Sequence, residues 1–152
     1  MNKIDPVRGP RISAETIHAS TVAQDGRAVL ITGPSGSGKS DLTLRMLDRG
    51  FTLVSDDQTI VKKDGTRLLA SAPPTIAGKL EIRGIGLIDF EQTDNVPVAL
   101  AVELTGEFQR LPDDSRERLI LGIGVPLITI DAMTASAPAK VVFALDRMGL
   151  KL

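Results

Sequence analysis

Ala28-Val29-Leu30-Ile31-Thr32-Gly33-Pro34-Ser35-Gly36-Ser37-Gly38-Lys39-Ser40 is an apolar run that passes directly into G-x-x-x-x-G-K-S. The run reads as a buried strand over 28–32, and the glycine-rich stretch after it as a nucleotide-binding P-loop in the context such a loop requires. Gly33, Pro34, Ser35, Gly36, Ser37, Gly38, Lys39 and Ser40 form the phosphate cradle. Its glycines let backbone N–H groups turn inward, Lys39 reaches the β and γ phosphates, and the Ser40 hydroxyl is placed to ligate Mg²⁺. A helix is predicted over 39–49, with Leu44 and Leu47 three apart on one face and Gly50 as its stop.

With 152 residues, 42% of them hydrophobic, the chain suits one domain with a single core. A formal net charge of −1, no Trp, no Tyr and four Phe argue against nucleic-acid binding by counterion release or base stacking. The absence of cysteine excludes disulfides and thiol chemistry and agrees with a reducing compartment. The N-terminal residues lack the apolar core of a signal peptide, and no segment approaches membrane-spanning length. A cytoplasmic protein is expected.

Residues 1–10 read as a polar leader and 11–17 as a strand, followed by the lone His18. After the P-loop helix, 51–54 reads as a strand running into Ser55-Asp56-Asp57. The segments 59–63 and 67–71 flank Asp64-Gly65 as a hairpin. Further strands are expected at 98–104, near 119–123 and at 127–130, with a polar link over 110–118 and a terminal helix over 138–148. Two helices among many strands predict an α/β fold, a mixed sheet around one P-loop helix.

A P-loop enzyme needs a carboxylate near Mg²⁺ and a group that positions or activates the nucleophile. The Asp56/Asp57 pair and Asp89 each follow an apolar run and are candidates. So is Glu81, in a segment whose Arg83 and nearby glycines suggest backbone approach to a ligand. Spacing leaves the choice open, because an Asp pair after a strand also opens turns.

Read together, His18-Ala19-Ser20, the P-loop, Leu53-Val54-Ser55-Asp56-Asp57 and Glu81-Ile82-Arg83-Gly84-Ile85-Gly86 resemble the catalytic domain of HPr kinase/phosphorylase in order and spacing. The resemblance runs from about residue 11 to residue 152. It implies a phosphoenolpyruvate-carboxykinase-like kinase core that transfers phosphate from ATP to a serine of an HPr-type phosphocarrier of the phosphotransferase system. By the same resemblance Lys39 grips phosphate and Ser40 with Glu81 holds Mg²⁺. Asp57 accepts the serine's proton, Asp56 supports it, His18 helps to fix the constellation, and Arg83 lies in the signature of both family reactions.

The sequence departs from the family's long form in three places. No extra N-terminal domain precedes the catalytic part, the family's basic loop is replaced by arginine-free Asp131-Ala132-Met133-Thr134-Ala135-Ser136-Ala137, and the chain ends early. The expectation is a short, single-domain form over 1–152 that acts mainly as a kinase and is a poor phosphorylase, with a homo-oligomer possible but not implied. Two other classes share the phosphate grip: a small-molecule kinase, for which Arg116 and Arg118 are the sole candidate lid, and a regulatory nucleotide-binding module without transfer chemistry. A GTPase would need an Asn-Lys-x-Asp signature downstream of its P-loop, and none follows Ser40; Asn2-Lys3-Ile4-Asp5 has the pattern but precedes the loop.

Overall fold

The computed structural model describes residues 13–106 and 116–152. The leader over 1–10 and most of the polar link over 110–118 therefore lie outside the described residues. In chain order the elements are β1 (Ala14–Ile17), β2 (Ser20–Gln24), β3 (Arg27–Thr32), α1 (Lys39–Asp48), β4 (Thr52–Ser55), β5 (Thr59–Asp64), β6 (Arg67–Ser71), β7 (Lys79–Ile82), β8 (Gly86–Asp89), β9 (Val96–Leu104), β10 (Glu117–Ile120), β11 (Ile123–Ile130) and α2 (Ala137–Met148).

One large mixed sheet runs β1-β5-β6-β9-β3-β2-β4, with β11 also paired to β9 and β10 to β11, while β7 and β8 form a separate hairpin. The long strand β9 is the hub. It lies parallel to β3 and β11 and pairs antiparallel with β6 through its first residues. In register, Thr32 pairs with Glu103 and Ile130 with Leu104, so three parallel strands end together. Ligand crevices of open α/β sheets form at such carboxyl ends.

The central parts of the hub strands are apolar on both sides because both faces are covered. Val29 and Ile31 face α1 and α2 with Leu100, Val102 and Leu104, joined by Leu42, Met46, Val141 and Leu145. Ala28 and Leu30 face the other way, onto Ile17, Val61, Leu68, Ala70, Ile120 and Val125, where the sheet curls over itself. The α1 face differs from the expected one: Leu42, Thr43 and Met46 are buried, whereas Leu44 and Leu47 are half-buried. Packing beneath the P-loop turns the first helical residues inward, and Leu42 and Met46 follow at the i, i+4 spacing of one face.

Strand β2 has no counterpart in the sequence expectation. Its Ser20 and Thr21 are polar yet fully buried, a combination that apolar patterning does not register. The Thr21 hydroxyl is satisfied by that of Thr59 at 2.7 Å, and Thr59 also donates to Ala19 O at 2.9 Å. Asp25 and Gly26 join β2 to β3 with φ of 54° and 75°, the two positive values of a tight hairpin turn. Among the described residues no helix is long and apolar enough to cross a membrane.

Candidate functional site

The P-loop follows β3 as expected and feeds α1, which begins at Lys39. Gly38 caps that helix at φ 98°, and a Cβ there would lie 3.1 Å from the Ala132 Cβ. Both the left-handed backbone and the close neighbour select glycine. Lys39 is buried, and its ammonium donates to Gly33 O at 2.8 Å and Pro34 O at 3.3 Å, so it is held along the loop. The Ser37 hydroxyl is buried with no hydrogen-bond partner among the described residues. An unpaired buried hydroxyl is costly unless a ligand satisfies it, and here it sits inside an anion cradle.

The two aspartates after β4 diverge. Asp56 Oδ1 accepts from Ser40 Oγ at 3.1 Å and from Ser20 Oγ at 2.9 Å. Asp57 instead meets the His18 ring, Oδ1 to Nε2 at 2.6 Å, with both side chains 62% exposed. The backbone causes the divergence: Asp57 has φ 69°, a left-handed conformation that few non-glycine residues adopt. Its amide donates to Ser20 Oγ at 3.0 Å, Gln58 N–H donates to Asp56 O at 2.8 Å, and the Ser55 hydroxyl donates to Gln58 O. Strain of this kind persists only where its surroundings enforce it, and it gathers at functional sites.

Ser20 is the residue that sequence reasoning left without a role. It stands at the start of β2, fully buried, and one hydroxyl engages both acids. Its presence in the His18-Ala19-Ser20 triplet was the only available signal, and that triplet says nothing of its contacts with residues 36 and 37 positions later.

The donors near Ser40 suit Mg²⁺. Two oxygens bound side by side at about 2.1 Å in an octahedron lie about 3.0 Å apart, and Ser40 Oγ to Asp56 Oδ1 is 3.1 Å. Both are hard oxygen donors. No group of three or more His, Asp or Glu side chains converges on a metal position among the described residues. Glu81 is exposed on β7, a strand that lies against α1, and makes no hydrogen bond or ion pair among the described residues. Arg83 is exposed in the turn that follows. Gly84 in that turn has φ 87° and open space where a Cβ would stand, so within the chain this glycine serves the turn rather than a close backbone approach.

A cavity of roughly 1110 Å³ opens at the carboxyl ends of β3, β9 and β11. Gly33 to Ser37 form one wall with His18, and Glu103, Thr129 and Asp131 stand at the strand ends. Arg116 and Arg118 reach it from the start of β10. The arginine-free segment 131–137 is clamped by Arg45 of α1, which donates to Thr134 O at 3.2 Å and also to Ala132 O.

A P-loop at parallel strand ends, with an acid pair, a histidine and an exposed Glu-Ile-Arg-Gly hairpin beside it, coincides with a family model described as the HPr Serine kinase C-terminal domain, which matches residues 12–148. The chain belongs to this family. An HPr kinase/phosphorylase of Chlorobaculum tepidum is 36% identical over 127 residues, covering 74% of this chain and 37% of that protein. One of Burkholderia lata is 35% identical over 144 residues, covering 87% and 45% respectively. The chain thus spans less than half the length of these relatives. Among solved structures, the Hpr(Ser) kinase/phosphatase from Coxiella burnetii superposes with a TM-score of 0.74 at 34% identity, covering 88% of each chain. The mixed sheet around one P-loop helix is the fold of this kinase family.

Proposed function

We propose that this chain is a single catalytic domain that transfers the γ-phosphate of ATP to a serine of an HPr-type phosphocarrier. The observation that carries the reading is the separation of the two aspartates. Asp56 is drawn to the P-loop hydroxyl of Ser40, while Asp57 is directed to His18 on the cavity wall. A nucleotide-binding module needs only the first arrangement, whereas a kinase needs a second carboxylate clear of the metal ligands to receive the proton of its acceptor.

In this reading the P-loop amides and Lys39 hold the phosphates, and the Ser37 hydroxyl gains the partner it lacks. Ser40 and Asp56 supply two oxygens for Mg²⁺, which when bound screens charge on the transferring phosphate. Glu81, on the strand beside α1, is the third candidate ligand. Asp57 accepts the serine proton, and His18 holds the carboxylate in place through the 2.6 Å contact. Arg83 stands in the exposed turn, available to an incoming acceptor. Because the transition state of phosphoryl transfer is loose, positioning and charge screening do most of the chemistry.

The small-molecule kinase alternative looked to Arg116 and Arg118 for a lid. The backbone of both is held against β11, through Leu127 N–H to Arg116 O at 3.1 Å and the pairing of Arg118 with Val125, which weighs against a lid that closes; the Arg116 side chain is also tied to Thr129 Oγ1 at 2.7 Å, whereas that of Arg118 is uncommitted. The deciding assay is phosphate transfer from labelled ATP, with an HPr-type carrier and a panel of hydroxyl-bearing metabolites as competing acceptors. Label on a carrier serine supports the reading; label on a metabolite alone, or on neither, overturns it.

A further inference from the structure

The cavity facing the P-loop carries cationic groups for which the phosphate-binding motif does not account. Arg116 immediately precedes β10, and Arg118 within it shares a strand face with Ile120, which is buried in the core. The two arginines are not equivalent. Arg116 is committed: Nη1 donates to Thr129 Oγ1 at 2.7 Å, and Nη2 lies 3.4 Å from Glu103 Oε1. Arg118 is half-buried on the cavity wall and makes no hydrogen bond or ion pair among the described residues. A guanidinium with five donors, partly removed from water and without a partner, is poised for an anion.

Two of the three carboxylates that line the cavity are otherwise occupied. Glu103 is paired with Arg116. Asp131 accepts the Met133 N–H at 2.9 Å. Glu117, the third, also lines the cavity and has no hydrogen bond or ion pair among the described residues, but it alternates with Arg118 along β10 and its carboxylate lies over Gly124, 2.7 Å from the position a Cβ would take there. Lys39 is bound to the P-loop carbonyls of Gly33 and Pro34. A triphosphate carries more negative charge than one lysine and one divalent cation neutralise, so a further cation facing the P-loop is what the ligand's charge requires.

We propose that Arg118 forms an anion subsite that receives a phosphate group opposite the P-loop, and that in the nucleotide complex this group belongs to the ATP phosphate chain. The proposal rests on the nucleotide-binding part of the functional reading and is independent of the acceptor. It gives the arginine-free segment 131–137 a neighbour that restores one cation to the site.

The test is calorimetry on the whole chain with ATP and Mg²⁺, with AMP, and with inorganic phosphate added to the ADP-saturated protein. Arg118→Ala and Arg118→Gln should weaken ATP about ten- to a hundredfold, the scale of one hydrogen bond to a charged group, and leave AMP within about twofold. Arg118→Lys should recover part of the loss, since it restores charge without the fork. Thermal melts that match wild type establish that each variant is folded. Loss confined to the inorganic-phosphate arm would keep the anion subsite but assign it to free phosphate, overturning the nucleotide assignment. Unchanged affinity in both arms, with wild-type protein that binds ATP, overturns the proposal and leaves the kinase reading intact. Wild-type protein that binds neither ATP nor phosphate overturns both.

Discussion

Replacing Ser20 by alanine removes one oxygen and tests whether that oxygen fixes both aspartates. The hydroxyl is fully buried; it donates to the Asp56 carboxylate at 2.9 Å and accepts the Asp57 amide at 3.0 Å. A hydrogen bond to a charged group contributes about 1.5–3 kcal/mol, and an amide left without a partner costs about 1–3 kcal/mol when fully buried. The Asp57 side chain is 62% exposed, so water can reach part of what the hydroxyl vacates. The low end of both ranges applies, a loss of about 2.5 kcal/mol in total, or about 5–10 °C in Tm for a chain of this size. The catalytic effect should be larger. Asp57 sits at φ 69°, a conformation about 1–2 kcal/mol above the right-handed one, and loses one of the bonds that hold it there. Displacement of a reacting group by about 1 Å can cost about a hundredfold in rate, so kcat should fall by about ten- to a hundredfold. The Mg²⁺ concentration for half-maximal activity should rise, because Asp56 keeps only Ser40. Ser20→Thr retains the hydroxyl and adds one buried methyl, so it should recover kcat and Mg²⁺ dependence even where it does not recover Tm. The assay is steady-state transfer to the carrier at several Mg²⁺ concentrations, beside thermal melts. Wild-type kcat and Mg²⁺ dependence in Ser20→Ala would refute the reasoning, whatever the melt shows.

Lys39→Ala should abolish transfer and weaken ATP binding, and unchanged ATP affinity by calorimetry would contradict the role of the P-loop. Asp57→Asn should keep nucleotide affinity and lower single-turnover transfer by about 10² to 10⁴, the usual worth of general-base help; transfer at the wild-type rate would remove Asp57 from that role. Gly38→Ala forces a side chain into the left-handed region and 3.1 Å from the Ala132 Cβ, so a loss of about 1–2 kcal/mol is expected on chemical denaturation. Phosphorolysis of serine-phosphorylated carrier by inorganic phosphate should be slow beside the forward reaction: segment 131–137 has no arginine, and Arg118 is the single uncommitted arginine on the described cavity wall. A release rate equal to the kinase rate would show that this shortage of cations does not matter.

Much of this protein could be read from its sequence because the signals are short-range. The P-loop is eight contiguous residues whose glycines, lysine and serine act through their own backbone, so no distant contact is needed to recognise them. The β5–β6 hairpin announced itself through Asp64-Gly65, and β3 and β9, expected at 28–32 and 98–104 and observed at 27–32 and 96–104, through their apolar runs 28–31 and 98–102. The α1 face was misjudged because a ten-residue helix offers few apolar positions, and the packing under the loop selected Leu42 and Met46.

The assignment of the aspartates was not legible in the same way. Asp56 and Asp57 are adjacent acids with the same local signal, and what separates them is the left-handed backbone at Asp57, held from β2 where it crosses beside β4. That crossing brings Ser20 to Asp56 across 36 residues and leaves His18 to meet Asp57 across 39. Strand β2 escaped notice for a related reason, since Ser20 and Thr21 are buried through hydrogen bonds to partners far along the chain rather than through apolar character. The same holds for Arg118, an ordinary charged residue in sequence that the β10–β11 pairing sets opposite the P-loop. Sequence alone identified the P-loop, because that motif is built from neighbouring residues; the tertiary structure decided which acid meets Ser40 and which meets His18, because side chains distant in sequence orient them.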